Sequence, residues 1–123
     1  MLKGTCNCKA VTFTVTKPAT TSACHCGQCR KQSGHHWASG HMPVTDYDIK
    51  GEVCWYASSA TAKRGFCPTC GCFLFWKNND EDAMSFSLGI IDGPTNLTLT
   101  RHIFTGDKGD YYEIADGVPQ REH

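Results

Sequence analysis

The stretch Val11-Thr12-Phe13-Thr14-Val15 alternates strictly between apolar and polar residues. Successive side chains of a strand point to opposite faces, so Val11, Phe13 and Val15 are expected on one buried face and the two threonines on the other. Stretches of similar character follow at residues 34–41, 53–57, 73–76, 84–88, 97–104 and 111–114. Turn signals such as Lys17-Pro18, Asp92-Gly93-Pro94 and Thr105-Gly106-Asp107 separate them. Short strands at this spacing predict an all-β domain of antiparallel strands. No segment sustains a helical period of about 3.6 residues over several turns. Helix is expected only as a turn after Cys26 and another within residues 79–83.

The chain has 123 residues, the length of one domain, expected to span residues 1–123. Lys plus Arg and Asp plus Glu are 12 each, so the formal net charge is zero. No basic run is present to neutralise a row of phosphates, which argues against nucleic acid as a partner. The longest apolar run, Cys72-Phe73-Leu74-Phe75-Trp76, is far short of the roughly 20 residues that cross a bilayer, so no membrane partner is expected. The first cysteine follows Met1-Leu2-Lys3-Gly4-Thr5 without an apolar leader, and a cytoplasmic protein is expected. In that compartment thiols stay reduced, so nine cysteines, an odd number, point to metal rather than to a disulfide scaffold. The sequon Asn96-Leu97-Thr98 is then incidental.

Eight cysteines fall in three clusters: Cys6-Asn7-Cys8, Cys24-His25-Cys26-Gly27-Gln28-Cys29 and Cys67-Pro68-Thr69-Cys70-Gly71-Cys72. The last contains a knuckle, a tight turn that puts Cys67 and Cys70 on one side, with Gly71 free to take the positive φ where the chain folds back. A structural zinc needs four ligands, and Cys6 and Cys8 with Cys67 and Cys70 complete a closed tetrahedral site. Cys24, Cys26 and Cys29 remain as three ligands, and three protein ligands with one exchangeable position is how catalytic zinc is usually held. Two zinc ions per chain are therefore expected. Thiolates around such a knuckle also hold iron, and the triad admits a fourth ligand, Cys72 or a histidine, that would make the second site structural.

Three thiolates on a dication leave about one net negative charge, a poorer Lewis acid than a site of neutral imidazoles. Soft ligands suit a soft fourth partner, so a small-molecule thiol held as thiolate beside an electrophilic carbon is the expected chemistry, rather than hydrolysis. If residues 34–41 form a strand, His35, Trp37, Ser39 and His41 share one face beside the triad, and His35 or His41 could carry a proton. His25 is expected to point away from the metal, His36 and His102 show no evident partner, and Cys54 reads as a small residue buried in a strand. Phe73, Phe75 and Trp76 read as strand core.

The order Gly4-x-Cys6-x-Cys8, Cys24-His25-Cys26-x-x-Cys29-Arg30 with Gly34, and Arg64-x-Phe66-Cys67-x-x-Cys70-Gly71 resembles the glutathione-dependent formaldehyde-activating enzyme family, which includes the centromere-protein-V-like proteins. Gly89 with Asp92, His102-Ile103 and Ile114-x-Asp116-Gly117-x-Pro119 look like that family's downstream signature. The resemblance implies a β-tent of two antiparallel sheets stapled by zinc. By motif it makes Cys6, Cys8, Cys67 and Cys70 the structural ligands and Cys24, Cys26 and Cys29 the catalytic ones. It also implies the joining of glutathione to formaldehyde to give S-hydroxymethylglutathione, a carbon-sulfur lyase in the reverse direction. His35-His36-Trp37, Cys72 and Tyr111-Tyr112 depart from the family's pattern, which more often has small or apolar residues, a small hydroxyl residue and tryptophan there.

The leading expectation is thus a zinc-dependent carbon-sulfur lyase-type enzyme acting on a thiol adduct. The alternative is a non-catalytic zinc module that binds a partner protein, with both sites structural. Chromatin binding, by analogy with the centromeric relatives, is opposed by the zero net charge.

Overall fold

The computed structural model describes residues 1–123. Its ten strands are β1 (Leu2–Thr5), β2 (Thr12–Val15), β3 (Thr21–Cys24), β4 (Trp37–Pro43), β5 (Asp48–Lys50), β6 (Cys54–Ala57), β7 (Ala62–Phe66), β8 (Phe73–Asn78), β9 (Ala83–Ser87) and β10 (Arg101–Ile103). The one α-helix, α1 (Gly27–Ser33), lies between β3 and β4. Two sheets form, a three-stranded one in the order β1-β2-β5 and a seven-stranded one in the order β10-β3-β4-β9-β8-β7-β6. No helix is long and apolar enough to cross a membrane.

The alternation in β2 works as its sequence requires. Phe13 and Val15 are buried, and Thr12 and Thr14 are half-buried on the other face. Phe13 crosses from the small sheet to the large one, where its ring meets Phe75 of β8 at 5.1 Å and Phe86 of β9 at 5.9 Å, both edge-on. Phe75 and Phe86 are register partners and fully buried. Tyr47, just before β5, closes the group against Phe75 at 5.9 Å and donates to the Met84 carbonyl at 2.6 Å. Burying each such ring contributes about 1.5–3 kcal/mol, and the edge-on geometry adds about 1 kcal/mol per pair.

Several expectations need correction. The strand expected at 34–41 begins at Trp37 and runs to Pro43, because α1 ends at Gly34 in the left-handed region. The strand expected at 97–104 is confined to Arg101–Ile103, and 111–114 forms none. Of residues 79–83, expected as helix, 79–82 are the turn between β8 and β9 and Ala83 opens β9, and Glu81 donates its amide to the Asn78 carbonyl at 3.2 Å. One pairing is parallel: β10 returns from a long crossover and lies along β3, His102 opposite Ala23. The strands β1, β3, β5 and β7 were outside the expected set. In β3, Thr21-Ser22-Ala23-Cys24, every residue is buried without one large apolar side chain. Thr21 instead donates its hydroxyl to the Thr98 carbonyl at 2.8 Å, and its own carbonyl accepts from the Thr100 hydroxyl at 2.6 Å.

The turn after β5 depends on Gly51, whose φ is +98° and whose missing Cβ would lie 2.0 Å from the Ala10 carbonyl oxygen. Gly51→Ala combines a left-handed backbone with a clash against main chain that has no room to yield. It should lower stability by about 2 kcal/mol or more, read as a reduced denaturant midpoint with unchanged slope.

Candidate metal centres

Cys6 and Cys8 sit in the turn between β1 and β2, and Cys67 and Cys70 in the turn between β7 and β8. The four sulfurs lie within 4.8 Å of one another. Cys8 is 3.7 Å from Cys6 and 3.6 Å from Cys67, sulfur to sulfur. Four sulfurs arranged tetrahedrally around a zinc at about 2.3 Å would be about 3.8 Å apart, so these spacings fit a tetrahedral ion. Main-chain amides point at the sulfurs: Val11 donates to Cys6 at 3.3 Å and Cys70 to Cys67 at 3.5 Å. Gly71 takes φ +75° as the knuckle requires, and its amide donates to the Cys67 carbonyl at 2.8 Å. Amides of Cys72 and Cys8 facing Cys70 bring its thiol down to about 6, into the range where it is ionised at neutral pH. One pair comes from the small sheet and the other from the large sheet, so this cluster joins the two.

Cys24 ends β3, Cys26 caps α1, and Cys29 lies within it. Cys26 has extended dihedrals, and its sulfur accepts the Cys29 amide at 3.4 Å, the role an N-cap side chain plays. The three sulfurs fall within 4.8 Å of one another, and no other Cys, His, Asp or Glu ligand atom joins the group. The thiols of Cys24 and Cys29 hydrogen-bond to Cys26 and hold it far below the usual thiol range, while Cys26 and Cys29 push Cys24 far above it. Three thiols this close ionise together only with a cation between them, so the donor set fits a soft dication. The cation present in the chain is Arg64 of β7, 4% exposed, whose Nη1 donates to the Cys29 sulfur at 3.4 Å.

The triad opens into a cavity of about 460 Å³. Trp37, Ser39 and His41 line it from β4, Trp76 from β8, and Arg101 and Ile103 from β10. Trp37 stacks on Phe73 at 4.4 Å and donates its indole N–H to the Ser87 hydroxyl at 2.7 Å, which in turn donates to the Phe73 carbonyl at 2.7 Å. His41 is held at both nitrogens, by the Ser85 hydroxyl at 2.8 Å and the Glu81 carboxylate at 2.7 Å. Arg101 is aimed by a hydrogen bond from its Nε to the Ser22 hydroxyl at 2.8 Å.

Of the expected face His35, Trp37, Ser39 and His41, the last three meet the cavity. His35 precedes the strand and pairs instead with the Tyr111 hydroxyl at 3.1 Å. His25 points away from the triad, as the extended segment predicts, and is fully buried. Burial, then the neighbouring His36 and His102, lower it to about 4, so it is neutral near pH 7. His102, expected without a partner, has two: His25 at 2.9 Å and Asp116 at 2.8 Å. Cys72 is half-buried against the larger core and lies outside both sulfur groups, and Cys54 is only half-buried at the start of β6. Arg64, Ser87 and Arg101 were missed as site residues. Only the position of Arg64, three residues before the knuckle, offered a signal, because neither periodicity nor composition marks a buried arginine in a strand.

Residues 1–107 match the family model described as glutathione-dependent formaldehyde-activating enzyme. A Schizosaccharomyces pombe protein described as an uncharacterized lyase is 29% identical over 122 residues, covering 93% of this chain and 85% of the relative. Among solved structures, the crystal structure of a Rhodobacter sphaeroides protein is similar at a TM-score of 0.65 and 26% identity, covering 75% of this chain and 89% of that one.

Ser87 lies behind the cavity wall and holds Trp37 by receiving from its indole and donating to the Phe73 carbonyl. Ser87→Ala leaves a buried indole N–H and a carbonyl without partners. A loss of about 1–3 kcal/mol is expected in chemical denaturation, with a shifted tryptophan emission maximum.

Proposed function

This chain belongs to the glutathione-dependent formaldehyde-activating enzyme family, and from that premise we propose that it is a zinc-dependent, carbon-sulfur lyase-type enzyme that joins a thiol to a small aldehyde and reverses that reaction. Glutathione and formaldehyde are the first candidates, with S-hydroxymethylglutathione as product. In this reading Cys6, Cys8, Cys67 and Cys70 hold a structural zinc, and Cys24, Cys26 and Cys29 hold a second zinc with one open position. The observation that carries it is the convergence of three sulfurs, without a fourth ligand, on a cavity large enough for a tripeptide-sized thiol.

A dication held by Cys24, Cys26 and Cys29 would supply a soft Lewis acid that favours the ionised form of a substrate thiol near neutral pH. The chain's own residues do the rest. Arg64 sets a positive charge beside Cys29, offsetting the excess negative charge of three thiolates. Trp37, Trp76 and Ile103 make the walls apolar and limit water. Arg101, fixed by Ser22, offers its guanidinium to a carboxylate of the thiol and so fixes where the sulfur lies. In the forward direction a carbon-sulfur bond forms, the carbonyl π pair moves to oxygen, and that oxygen takes up a proton equivalent to the one the thiol gave up.

The test is exchange spectroscopy by NMR on carbon-13 formaldehyde with glutathione. Metal-loaded protein should speed interconversion with the hydroxymethyl adduct. Cys26→Ser keeps a good helix cap but replaces a soft ligand, so it should drop the metal content from two equivalents towards one and abolish the acceleration. No acceleration by wild-type protein carrying two equivalents would refute the reading. Arg101→Gln should raise KM for carboxylate-bearing thiols about 10-fold with little change in kcat, and leave neutral thiols unaffected, in steady-state kinetics.

A further inference from the structure

Side chains on β3 and β10 divide between two faces. Cys24, Arg101 and Ile103 face the cavity, while His102 and, just past β3, His25 are buried behind it. The parallel pairing of the two strands continues one residue beyond β3, through the His25 amide and the Ile103 carbonyl at 3.0 Å. Behind the triad the two imidazoles form part of a chain. Asp116 Oδ2 lies 2.8 Å from His102 Nε2, His102 Nδ1 lies 2.9 Å from His25 Nε2, and His25 Nδ1 meets the Tyr112 hydroxyl.

The carboxylate end sets the direction of the hydrogen bonds between neutral imidazoles in that chain. A carboxylate only accepts, so His102 donates from Nε2, and as a neutral imidazole it accepts at Nδ1. His25 must then donate from Nε2, and its Nδ1 accepts from the Tyr112 hydroxyl. In that arrangement each imidazole makes one donated and one accepted bond. Asp116 and Tyr112 belong to the tail beyond the segment that the family model covers. That tail is fastened to the same strand, by the His102 amide to the Pro119 carbonyl at 2.8 Å and the Arg121 amide to the His102 carbonyl at 2.9 Å.

We infer that Asp116, acting through His102, fixes the tautomer and ring position of His25, and that this chain holds Cys24-His25-Cys26 in the shape that gathers the triad sulfurs. The inference rests on the reading of the triad as a metal site. Asp116, His102 and Tyr112 are positioning residues, since none of them touches the cavity. The main chain between Cys24 and Cys26 is tied by the His25 amide to the Ile103 carbonyl at 3.0 Å and by the Arg30 amide to the Cys26 carbonyl at 2.9 Å, and the anchored ring between the two sulfurs adds a side-chain tether at the junction of β3 and α1. His36, with its ring centroid 5.0 Å from that of His25, packs against it and limits alternative ring positions.

Two measurements on the full chain test this. Nitrogen-15 NMR of the histidine rings should show His25 as the Nε2–H tautomer in wild type, and Asp116→Asn should move it towards Nδ1–H, because an amide both donates and accepts. Cobalt or zinc titration should give two equivalents in wild type. In Asp116→Asn the second should bind about 10-fold more weakly with an altered cobalt absorption band, and the first should be unchanged. His102→Ala should weaken the second equivalent further. Asp116 is partly exposed and its replacement nearly isosteric, so that variant reports even if His102→Ala fails to fold. An unchanged tautomer, or an unchanged second affinity and band in Asp116→Asn, overturns the positioning role alone. A wild-type protein that takes up a single equivalent overturns the metal reading of the triad and this inference with it.

Discussion

Phe13 sets the spacing between the two sheets. Its ring packs edge-on against Phe75 and Phe86, which face each other across β8 and β9. Because β8 begins just after the knuckle, and β2 begins just after the Cys6-Asn7-Cys8 turn, the same contact brings the two pairs of sulfurs together at one end of the sheets. A hydrophobic contact is non-directional, so it supplies proximity without register. The amides that point at Cys6 and Cys67 supply the direction. Moving Phe13 by one residue along β2 would turn it to the solvent face and separate the two cysteine pairs.

Electrostatics at the triad lead to the same organisation from another side. A buried guanidinium is costly unless it meets negative charge. Arg64 is 4% exposed, and its close partners are the Cys29 sulfur and the neutral Gln32 amide. The burial of this cation is therefore compatible with ionised sulfur beside it, and the ionised sulfurs with a cation among them. Phe73 lies beneath Arg64 at 5.6 Å and beneath Trp37 at 4.4 Å, so one ring supports both the charge and the cavity wall.

Strands with alternating apolar residues, such as β2, and the aromatic run of β8 were legible in the sequence because burial on one face leaves a period of two. The cysteine grouping was legible because ligand number and the short spacings of Cys6 with Cys8 and Cys67 with Cys70 leave few ways to complete four ligands. Other features carried no such mark. β3 is buried on both faces by small and hydroxyl residues whose partners, Thr98 and Thr100, lie far along the chain. His35 left its expected face because α1 continues to Ser33 and delays β4. His102 gains its partners only when the parallel pairing with β3 forms, and local sequence does not encode that register.

The two cysteine groups differ in how the chain closes them. Cys8 and Cys67 are 59 residues apart, so ordering that group fixes a long loop and both sheets at once. The entropy of closing a loop grows with its length, and an ion held there therefore stabilises the fold as a whole. The triad runs only from Cys24 to Cys29, closes a short loop and ties down little beyond α1. Its ion would contribute less to folding, so that in the proposed reading one coordination position could exchange without endangering the structure. The centre of that segment, His25 and Cys26, belongs to neither β3 nor α1, however. Its shape has to be imposed from outside, by Arg64 of β7 on the cavity side and by His102 of β10 behind.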